Sequence, residues 1–412
     1  MCVEESSKQR NALPIGMAKL TRLAFAGIDL GRIAGRLLGM FERDPYHAGA
    51  LMDLSTIDQL NGNLSIGLTR QAMALSKQRV FRSTCCGVNA RLRVLAFVAA
   101  ADIGGNTPLE FLLEGSDIAL TMAYVLPGRP LPRDLPKHDL AFVAIAATPS
   151  NRIVLAELEE LLDDWPVPVI NPPHHIARLE RCELAATSIA GLDIPRDVRV
   201  RRDDLLATLD AEDWSPIFDR QFPIVVKPLG AYRPIRAEKI DSSEGLRLYL
   251  SSRPEQSFSV SPFIDCRSRD GLFRKFRIFF IDRRPYACHM ALTDRWNATY
   301  VDARMETDAQ WRREEESFFE NFDSDFAQRH EATFAALVER VGLTYFGIDC
   351  AETLSGELVV FETDHTLLVH DMDPVDIFPY KPAQMRKIFD AFSTCLYRVA
   401  NERRNSRWPS VG

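Results

Sequence analysis

The sequence lacks the short motifs of several common functional sites. It contains no CxxC pair, and apart from Cys85-Cys86 its eight cysteines are scattered along the chain. It contains neither GxGxxG nor GxxxxGK[ST], so neither a Rossmann dinucleotide site nor a P-loop is supported. Because no secretory signal is recognisable, the scattered cysteines favour free thiols in a reducing, cytoplasmic setting.

The chain also has little that would draw it to a membrane or to nucleic acid. Charged residues, among them Arg22 and Asp29, break the apolar N-terminal run and argue against a membrane-spanning segment there. The net charge of −7 over 412 residues gives no general attraction to polyanions, and the basic residues lack interleaved exposed aromatics. We therefore expect no nucleic acid and no membrane among its partners. The length predicts roughly two to three domains.

Residues 1–88 are predicted to form a helical segment. Apolar residues from Leu20 to Leu37 recur with a helical period, and two further helices are expected around Leu54 and Ala72, on either side of the turn "NGN". This helix pair resembles one tetratricopeptide unit, but a single unit cannot bury a solenoid core. We interpret the segment as an appended helical cap or as the contact element of a homodimer.

Residues 89–195 are predicted to form a parallel α/β domain. Short β-rich runs, such as "LRVLAFVA" and "DLAFVAIAA", alternate with helical stretches at Thr107–Leu113 and Asn151–Asp163. Strands that alternate with helices indicate a parallel sheet with right-handed crossovers. The run "RDVRVRRDDLLATLDAEDW" is interpreted as a charged connection to a last domain over 196–412.

The stretch "YFGIDCAETLSGELVVFETD" is predicted to be a hairpin that carries acids on one face. Counting outward from its "SG" turn pairs Asp349 with Glu362 and Cys350 with Phe361, and places Asp364 diagonally beside the two acids. Like charges directly opposed on paired strands destabilise a sheet. The acids could form an ordinary solvent-exposed face, or they could share a bound cation.

The predicted neighbours of the acids favour the cation. They are small or apolar and indicate a half-buried face: Gly347, Ala351, Leu358 and Val360. An uncompensated charge is costly there. Hard oxygen ligands without sulfur or imidazole suit Mg²⁺ or Mn²⁺, and Mg²⁺ commonly combines a few carboxylates with nucleotide phosphates. The hairpin alone therefore suggests a metal–nucleotide site.

A second predicted hairpin, the basic run "LFRKFRIFFIDRRPYACHMAL", precedes this one. In "KFRIFF", the alternation puts Lys275, Arg277 and Phe279 on one face. A Lys and an Arg at this spacing can neutralise a phosphate, although a basic solvent-exposed face is an equal alternative when the strand is read alone. Lys227, at the end of the buried strand "IVVKP", strengthens the phosphate interpretation.

Taken in order, the segments "IVVKP", "VSPFID", "KFRIFF" and "FGIDC…VVFETD" resemble the ATP-grasp ligases, a superfamily that includes D-alanine–D-alanine ligase, glutathione synthetase and the ribosomal-protein glutamate ligases. The resemblance runs from about Arg91 to the end of the chain, because the preceding α/β unit resembles the pre-ATP-grasp domain of that family. It implies an α/β (α+β) fold: a helical segment, a pre-ATP-grasp domain and an ATP-grasp domain.

The resemblance also implies roles for single residues. Arg277, with Lys275 beside it, would hold the transferred phosphoryl group. Asp364 stands where the family usually has Asn, which keeps an oxygen ligand and adds a charge. The nucleotide contacts would be Lys227 at the phosphates, Ser261, Phe263 and Ile264 at the adenine, and Asp265 near the ribose. The metal ligands for Mg²⁺ (or Mn²⁺) would be Asp349, Glu362 and Asp364.

One segment departs from the family pattern. The glycine-rich loop expected after "VVKP" is replaced by "PLGAYRPIRAEKI", in which Gly230 is the sole glycine and Pro234 is rigid. Glycines let backbone N–H groups approach a phosphate closely. Arg233 and Arg236 could supply side-chain charge instead. Alternatively, the loop no longer supports catalysis.

The predicted reaction joins a small-molecule carboxylate to an amine, an amino acid or a peptide, at the expense of ATP. His370, in "DHTLLVHDMDP", is a candidate base for the amine, and a purely structural histidine is an equal alternative. Two other functions compete with this one. The first is a non-catalytic protein that binds ATP or a partner. The second is a ligase that modifies a peptide or protein side chain.

Overall fold

The computed structural model describes residues 13–84, 90–179, 189–214, 222–229, 237–297 and 303–406. It has a mixed α/β architecture, as predicted. Within these ranges the helices are α1 (Met17–Phe25), α2 (Gly31–Arg43), α3 (Ala48–Leu60), α4 (Leu64–Lys77), α5 (Leu109–Leu112), α6 (Arg152–Leu162), α7 (Pro173–Ala177), α8 (Arg202–Ala211), α9 (Ser243–Ser251), α10 (Ala309–Asn321), α11 (Phe326–Arg329), α12 (Glu331–Val341) and α13 (Lys381–Ser406).

The strands belong to three sheets. In chain order they are β1 (Val80–Arg82), β2 (Leu92–Ala99), β3 (Ile118–Val125), β4 (Leu140–Val143), β5 (Val169–Ile170), β6 (Leu192–Asp193), β7 (Val198–Arg201), β8 (Ile224–Pro228), β9 (Glu238–Ile240), β10 (Ser257–Pro262), β11 (Phe273–Ile281), β12 (Arg284–Thr293), β13 (Tyr345–Glu352) and β14 (Leu358–Asp364).

The first sheet has the order β1-β3-β2-β4-β5. The strands β3, β2, β4 and β5 run parallel to one another, and β1 is antiparallel to β3. Its central strands read as near-continuous apolar runs because they are covered on both faces. The predicted parallel α/β unit is therefore confirmed.

The second sheet, β7-β10-β8-β9, is antiparallel throughout. It begins with β7, which is followed directly by α8, so the interpretation of this run as a mere charged connection is wrong. The reason is that Val200, Leu205 and Leu209 are buried between its charged residues. The charges that dominate the composition occupy the solvent-facing positions.

The third sheet has the order β12-β11-β13-β14-β6 and carries both predicted hairpins. It shares one hydrophobic core with the first sheet. The helix α13 lies between the two, where Phe392 contacts Phe142 of β4 and Tyr345 of β13, with ring centroids 5.9 and 5.0 Å apart. The second sheet has a separate core, which its strands form together with α8 and α9 and which includes Leu205 and Val226.

Helices form within the predicted N-terminal segment, with α3 and α4 separated by the turn at Asn61. Two details of the prediction are wrong. The run from Leu20 to Leu37 is broken into α1 and α2, because the chain turns at Gly27 with a positive φ of 71°, and residues 80–82 form β1, which pairs with β3 of the first sheet.

The start of α1 is held by two buried acids. The Asp53 carboxylate accepts hydrogen bonds from the backbone N–H groups of Ile15 and Gly16, at 2.7 and 3.1 Å, and Glu110 accepts one from Ala18 at 3.1 Å. Acids at a helix N-terminus satisfy its free N–H groups.

Gly16 has a positive φ of 99°, and a Cβ there would lie 2.9 Å from a Glu110 carboxylate oxygen. Only glycine lets the chain enter α1 so close to this acid. No helix within the described residues is long and apolar enough to cross a membrane. The domain boundaries at 88/89 and 195/196 and the tetratricopeptide likeness stay predictions.

Candidate active site

The acidic hairpin forms, with one irregularity in its register. Asp349 pairs with Glu362, as predicted, and Asp364 pairs with Gly347 on the same face. Cys350, however, pairs with Val360, so its predicted pairing with Phe361 is wrong. A β-bulge between Asp349 and Cys350 in the pairing inserts Phe361 as an extra residue on β14.

Because of the bulge, each side chain of β14 between the turn and Glu362 lies on the opposite face of the sheet from the one predicted. Leu358 and Val360 belong to the main core, so their predicted place beside the acids is wrong. Val359 and Phe361 instead pack with Ala351 on the other face. The bulge thus brings an aromatic ring to the same side as the acids.

A first cavity of about 440 Å³ lies between the second and third sheets. This volume is within the usual range for small-molecule sites. Five of the residues predicted to contact nucleotide or phosphate line it. They are Lys227, Ser261, Phe263, Ile264 and Lys275.

One predicted nucleotide contact, Asp265, is not among the residues that line this cavity. Asp265 is exposed, and its carboxylate accepts a hydrogen bond from the backbone N–H of Arg267 at 3.0 Å. Arg233 lies outside the described residues, as do Gly230, Pro234 and Arg236.

Aromatic rings and lysine ammonium groups lie close together at the first cavity, although Lys239 is not part of its lining and pairs with Asp241 at 2.6 Å. Phe263 meets Trp296 edge-on, with centroids 5.6 Å apart and an angle of 87° between the planes. The Lys239 Nζ lies 4.8 Å from the Phe263 centroid, and the Lys275 Nζ lies 6.0 Å from that of Phe361. The flat apolar walls suit a planar ring, and the ammonium groups suit an anion.

A second cavity, of about 640 Å³, lies farther along β11. Arg277 lines it, as do two residues that follow the acids in sequence, His370 and Asp373. Apolar side chains complete much of its wall: Phe25, Met305, Leu368, Phe378 and Met385. Lys275 and Arg277 are two residues apart on one strand, so the two cavities are neighbours.

Arg277 and Asp349 neutralise each other across the two strands. The guanidinium Nε and Nη2 donate to the two Asp349 oxygens at 2.7 and 2.8 Å, which is a bidentate pair. Burial alone would lower the pKa of Arg277, but the hydrogen bonds and charge of Asp349 outweigh it and raise that pKa above its usual value. Glu362 is close enough to add to this effect.

The other two acids differ in environment. Glu362 is exposed, whereas the Asp364 side chain is only 25% exposed. Burial would raise the pKa of Asp364, but His365, with Nδ1 at 3.4 Å, and the backbone N–H of Thr366, at 2.9 Å, hold the pKa below its usual value. Within the described ranges, no three His, Cys, Asp or Glu side chains form a metal site by themselves.

The second cavity contains two neutral histidines. Burial lowers the pKa of His370 to about 4, and Asp371 opposes this only in part. Burial lowers the pKa of His289 well below its usual value, and the Arg277 and Lys381 charges add to this. At neutral pH each imidazole therefore has a single nitrogen lone pair. In His370 it belongs to Nδ1, which accepts a hydrogen bond from the backbone N–H of Met372 at 3.2 Å, so Nε2 carries the proton and is a donor.

Asp373 belongs to a buried ionic network behind this cavity. The Lys381 Nζ lies 2.9 Å from Asp373 and 3.4 Å from Glu315, and the Tyr380 hydroxyl donates to Glu315 at 2.7 Å. Burial lowers the pKa of Lys381 and raises that of Glu315. The network fixes the start of α13 against the cavity wall.

Sequence reasoning missed several residues that line the two cavities. Phe361 was paired with Cys350, on the face away from the acids, and Trp296, Phe25 and Arg304 were not singled out at all. The bulge that turns Phe361 has no local signal in the sequence. Trp296 could have been suspected, because it closely follows the basic hairpin in the polar run "TDRWN".

No protein-family model matches this sequence, and no curated protein matches it significantly. Solved structures similar to it include a RimK-domain ATP-grasp protein from Sphaerobacter thermophilus, 15% identical, which aligns over 74% of this chain and 99% of its own with a TM-score of 0.39. D-alanine–D-alanine ligase from Bacillus anthracis is 14% identical over 77% of this chain and 100% of its own, at 0.43. VanG D-Ala:D-Ser ligase from Enterococcus faecalis is 13% identical over 74% and 100%, at 0.40. The likeness concerns the course of the backbone and specifies no substrate.

Proposed function

We propose that the protein is an ATP-dependent ligase that joins a small-molecule carboxylate to an amine, an amino acid or a peptide, through an acyl phosphate. The observation that carries this proposal is the course of β11, which contributes Lys275 to the first cavity and Arg277 to the second. Alternate residues on a strand are roughly 7 Å apart. A phosphoryl group could pass between two cavities at that separation.

The first cavity suits ATP. Its aromatic wall at Phe263 and Trp296 offers a stacking surface for the base, and Lys227 and Lys275 offer cations to the phosphates. Ser261, near the end of β10, and Ile264, two residues beyond that strand, also line this cavity. The walls come from two sheets with separate cores, so a nucleotide would be held between them.

The proposed chemistry has two steps. A carboxylate oxygen of the acid attacks the γ-phosphorus, a new P–O bond forms, and the bond to the bridging oxygen breaks as ADP leaves with its electron pair. The amine nitrogen then attacks the acyl carbon, a C–N bond forms, and the C–O bond to phosphate breaks. The released phosphate takes the proton that the amine loses. His370 does not suit the role of base for this amine that the sequence suggested, because its Nδ1 already accepts the backbone N–H of Met372.

The acidic hairpin fits a role in holding Mg²⁺. Asp349, Glu362 and Asp364 share one face of β13 and β14 and offer only hard oxygen donors. Mg²⁺ needs few protein carboxylates when phosphates complete its coordination, so these acids would serve together with the phosphates and not as a complete site of their own. When bound there, the ion would neutralise phosphate charge beside Arg277.

A specific observation favours a second candidate, a non-catalytic protein that binds a nucleotide. Arg277 and Asp349 are engaged with each other, although the ligase proposal asks one to hold a phosphoryl group and the other a metal ion. The glycine-poor run after Lys227 also departs from a mobile phosphate-binding loop. A protein of this kind would bind ATP without turnover.

The ligase proposal is tested by binding and turnover in sequence. Isothermal titration with ATP and Mg²⁺ should show that Lys227→Ala weakens binding by roughly tenfold or more, because a charge-assisted contact contributes ~1.5–3 kcal/mol. Lys387→Ala, at an exposed position of α13, is the matched control and should bind ATP normally.

Turnover is then measured as ADP release over pairs of amino acids and dipeptides. Glu362→Ala should abolish ADP release while far-UV circular dichroism stays unchanged, whereas Glu357→Ala, at the exposed turn of the same hairpin, should retain it. Wild-type release by Glu362→Ala would contradict the metal assignment. ATP binding with no release on any pair would favour the non-catalytic candidate.

A further inference from the structure

The N-terminal helix α1 reaches the second cavity, although it lies outside the resemblance to ATP-grasp ligases. Its last residue, Phe25, lines that cavity, as do Arg277 and His289. The Phe25 ring is 63% exposed, and its centroid lies 5.9 Å from that of His370. An exposed phenylalanine at a cavity wall has apolar surface that a bound ligand could cover.

The position of Phe25 is fixed at both ends of α1. At the start, Asp53 and Glu110 hold the backbone as described above. Near the end, the Arg22 guanidinium donates to Glu114 and to Asp371. Arg22 is three residues before Phe25 and therefore on the same side of the helix. The bridge joins α1 to the loop after β14, which carries His370.

The remaining wall indicates the chemistry of the ligand. Its apolar part, Met305, Phe378 and Met385, is buried within the protein and gives a dry surface next to the Phe25 ring. The polar part contains charges of both signs, Arg304 and Glu306, neither of which forms an ion pair with another described residue. Arg304 has a positive φ of 52°, an unfavourable conformation for a residue with a side chain.

We infer that the second cavity binds the amine substrate, that this substrate is an amino acid or peptide with an apolar side chain, and that Phe25 contacts that side chain. A zwitterion presents both charges to Arg304 and Glu306, and its side chain then has the Phe25 ring and the methionines as neighbours. The N-terminal segment is thereby a specificity element of the site. That the bound amino acid or peptide is the amine substrate rests on the proposed function, whereas its binding in the second cavity does not.

Binding is measured by isothermal titration of L-phenylalanine, L-leucine, L-alanine and L-glutamate into protein saturated with a non-hydrolysable ATP analogue and Mg²⁺. We expect L-phenylalanine and L-leucine to bind more tightly than L-alanine and L-glutamate. Phe25→Ala should weaken the first two by roughly tenfold, since loss of a ring contact in an apolar pocket has an effect of that order. Affinity for the nucleotide should not change.

Two further variants separate a contact from a structural effect. Phe25→Leu, which keeps an apolar side chain, should restore most of the affinity for L-leucine. Ile28→Ala removes a similarly exposed apolar side chain just beyond α1, away from the cavity, and should behave as wild type. Equal effects of Phe25→Ala and Ile28→Ala would overturn the inference, as would preference for L-glutamate or no binding of any of the four amino acids.

The titration requires no turnover, so failure of the two proposals can be told apart. If the protein binds apolar amino acids through Phe25 but releases no ADP, the ligase proposal fails and the inference stands. If ADP is released with an amine whose affinity does not depend on Phe25, the inference fails and the ligase proposal stands.

Discussion

Replacing Asp349 by asparagine tests whether its pairing with Arg277 stabilises the fold. The Arg277 side chain is 18% exposed and that of Asp349 30%, so the pair is mostly withdrawn from water. Breaking a fully buried pair costs ~3–5 kcal/mol, because the remaining charge is left uncompensated. With the partial exposure of both groups, we expect Asp349→Asn to lower the free energy of unfolding by ~2 kcal/mol.

The assay is urea unfolding followed by tryptophan fluorescence and by circular dichroism, without nucleotide or metal. The matched control is Glu362→Gln, which removes a carboxylate from the directly opposed position on β14. Glu362 is exposed, so its replacement should change stability by no more than ~0.5 kcal/mol. The double variant Arg277→Met with Asp349→Asn should be more stable than the sum of the single effects predicts.

Equal stability of Asp349→Asn and Glu362→Gln would refute the reasoning, because the two carboxylates would then have similar environments. Additive single and double variants would refute it as well. In either case the bidentate pair between β11 and β13 would not hold in solution, and the acids would have to be compensated in another way.

Two further predictions concern the N-terminal helices and the second cavity. Burial raises the pKa of Asp53 to about 7 from an ordinary value of 3.8, so its contribution to stability is complete below pH ~3.8 and is lost as the pH rises to about 7. Between pH 4 and 7 the unfolding free energy of the wild type should therefore fall more than that of Asp53→Asn, and parallel pH profiles would contradict this. Arg304→Gly should be more stable than Arg304→Ala by ~1 kcal/mol, because only the glycine relieves the positive φ. A urea midpoint for the glycine variant at or below that of the alanine variant would show that this backbone is unstrained.

The sequence allowed the two hairpins of the third sheet to be predicted, but their detailed register only in part. Counting from the turn predicted the pair Asp349–Glu362 correctly, but only because two deviations from a regular hairpin cancel each other. Near the turn the true register is shifted by one residue, and the extra residue at Phe361 shifts it back. The alternation of side chains predicts which face of the sheet a residue occupies only while the hydrogen-bonded pairing of the strands is regular. The residues between the turn and the bulge were therefore assigned to the wrong face.

Contacts between distant segments could not be predicted from local patterns. The alternation within "KFRIFF" placed Lys275 and Arg277 on one face, and the structure directs them to two different cavities. That Arg277 faces Asp349 depends on which hairpins are neighbours in the sheet, and nothing within either hairpin encodes this. The contact of Phe25 with His370 joins residues 345 positions apart and depends on how α1 packs.

The separate core of the second sheet has a mechanical consequence. The first and third sheets are joined by α13, whose Tyr397 hydroxyl also donates to Asp117 at 2.8 Å, so relative rotation of those two sheets would expose apolar surface. The strands β7 to β10 enclose their own apolar side chains. They can therefore rotate as a small lobe relative to the third sheet without exposing an apolar core to water. Since this lobe provides Lys227 and Ser261, such a swing would widen or narrow the first cavity while the second cavity keeps its shape.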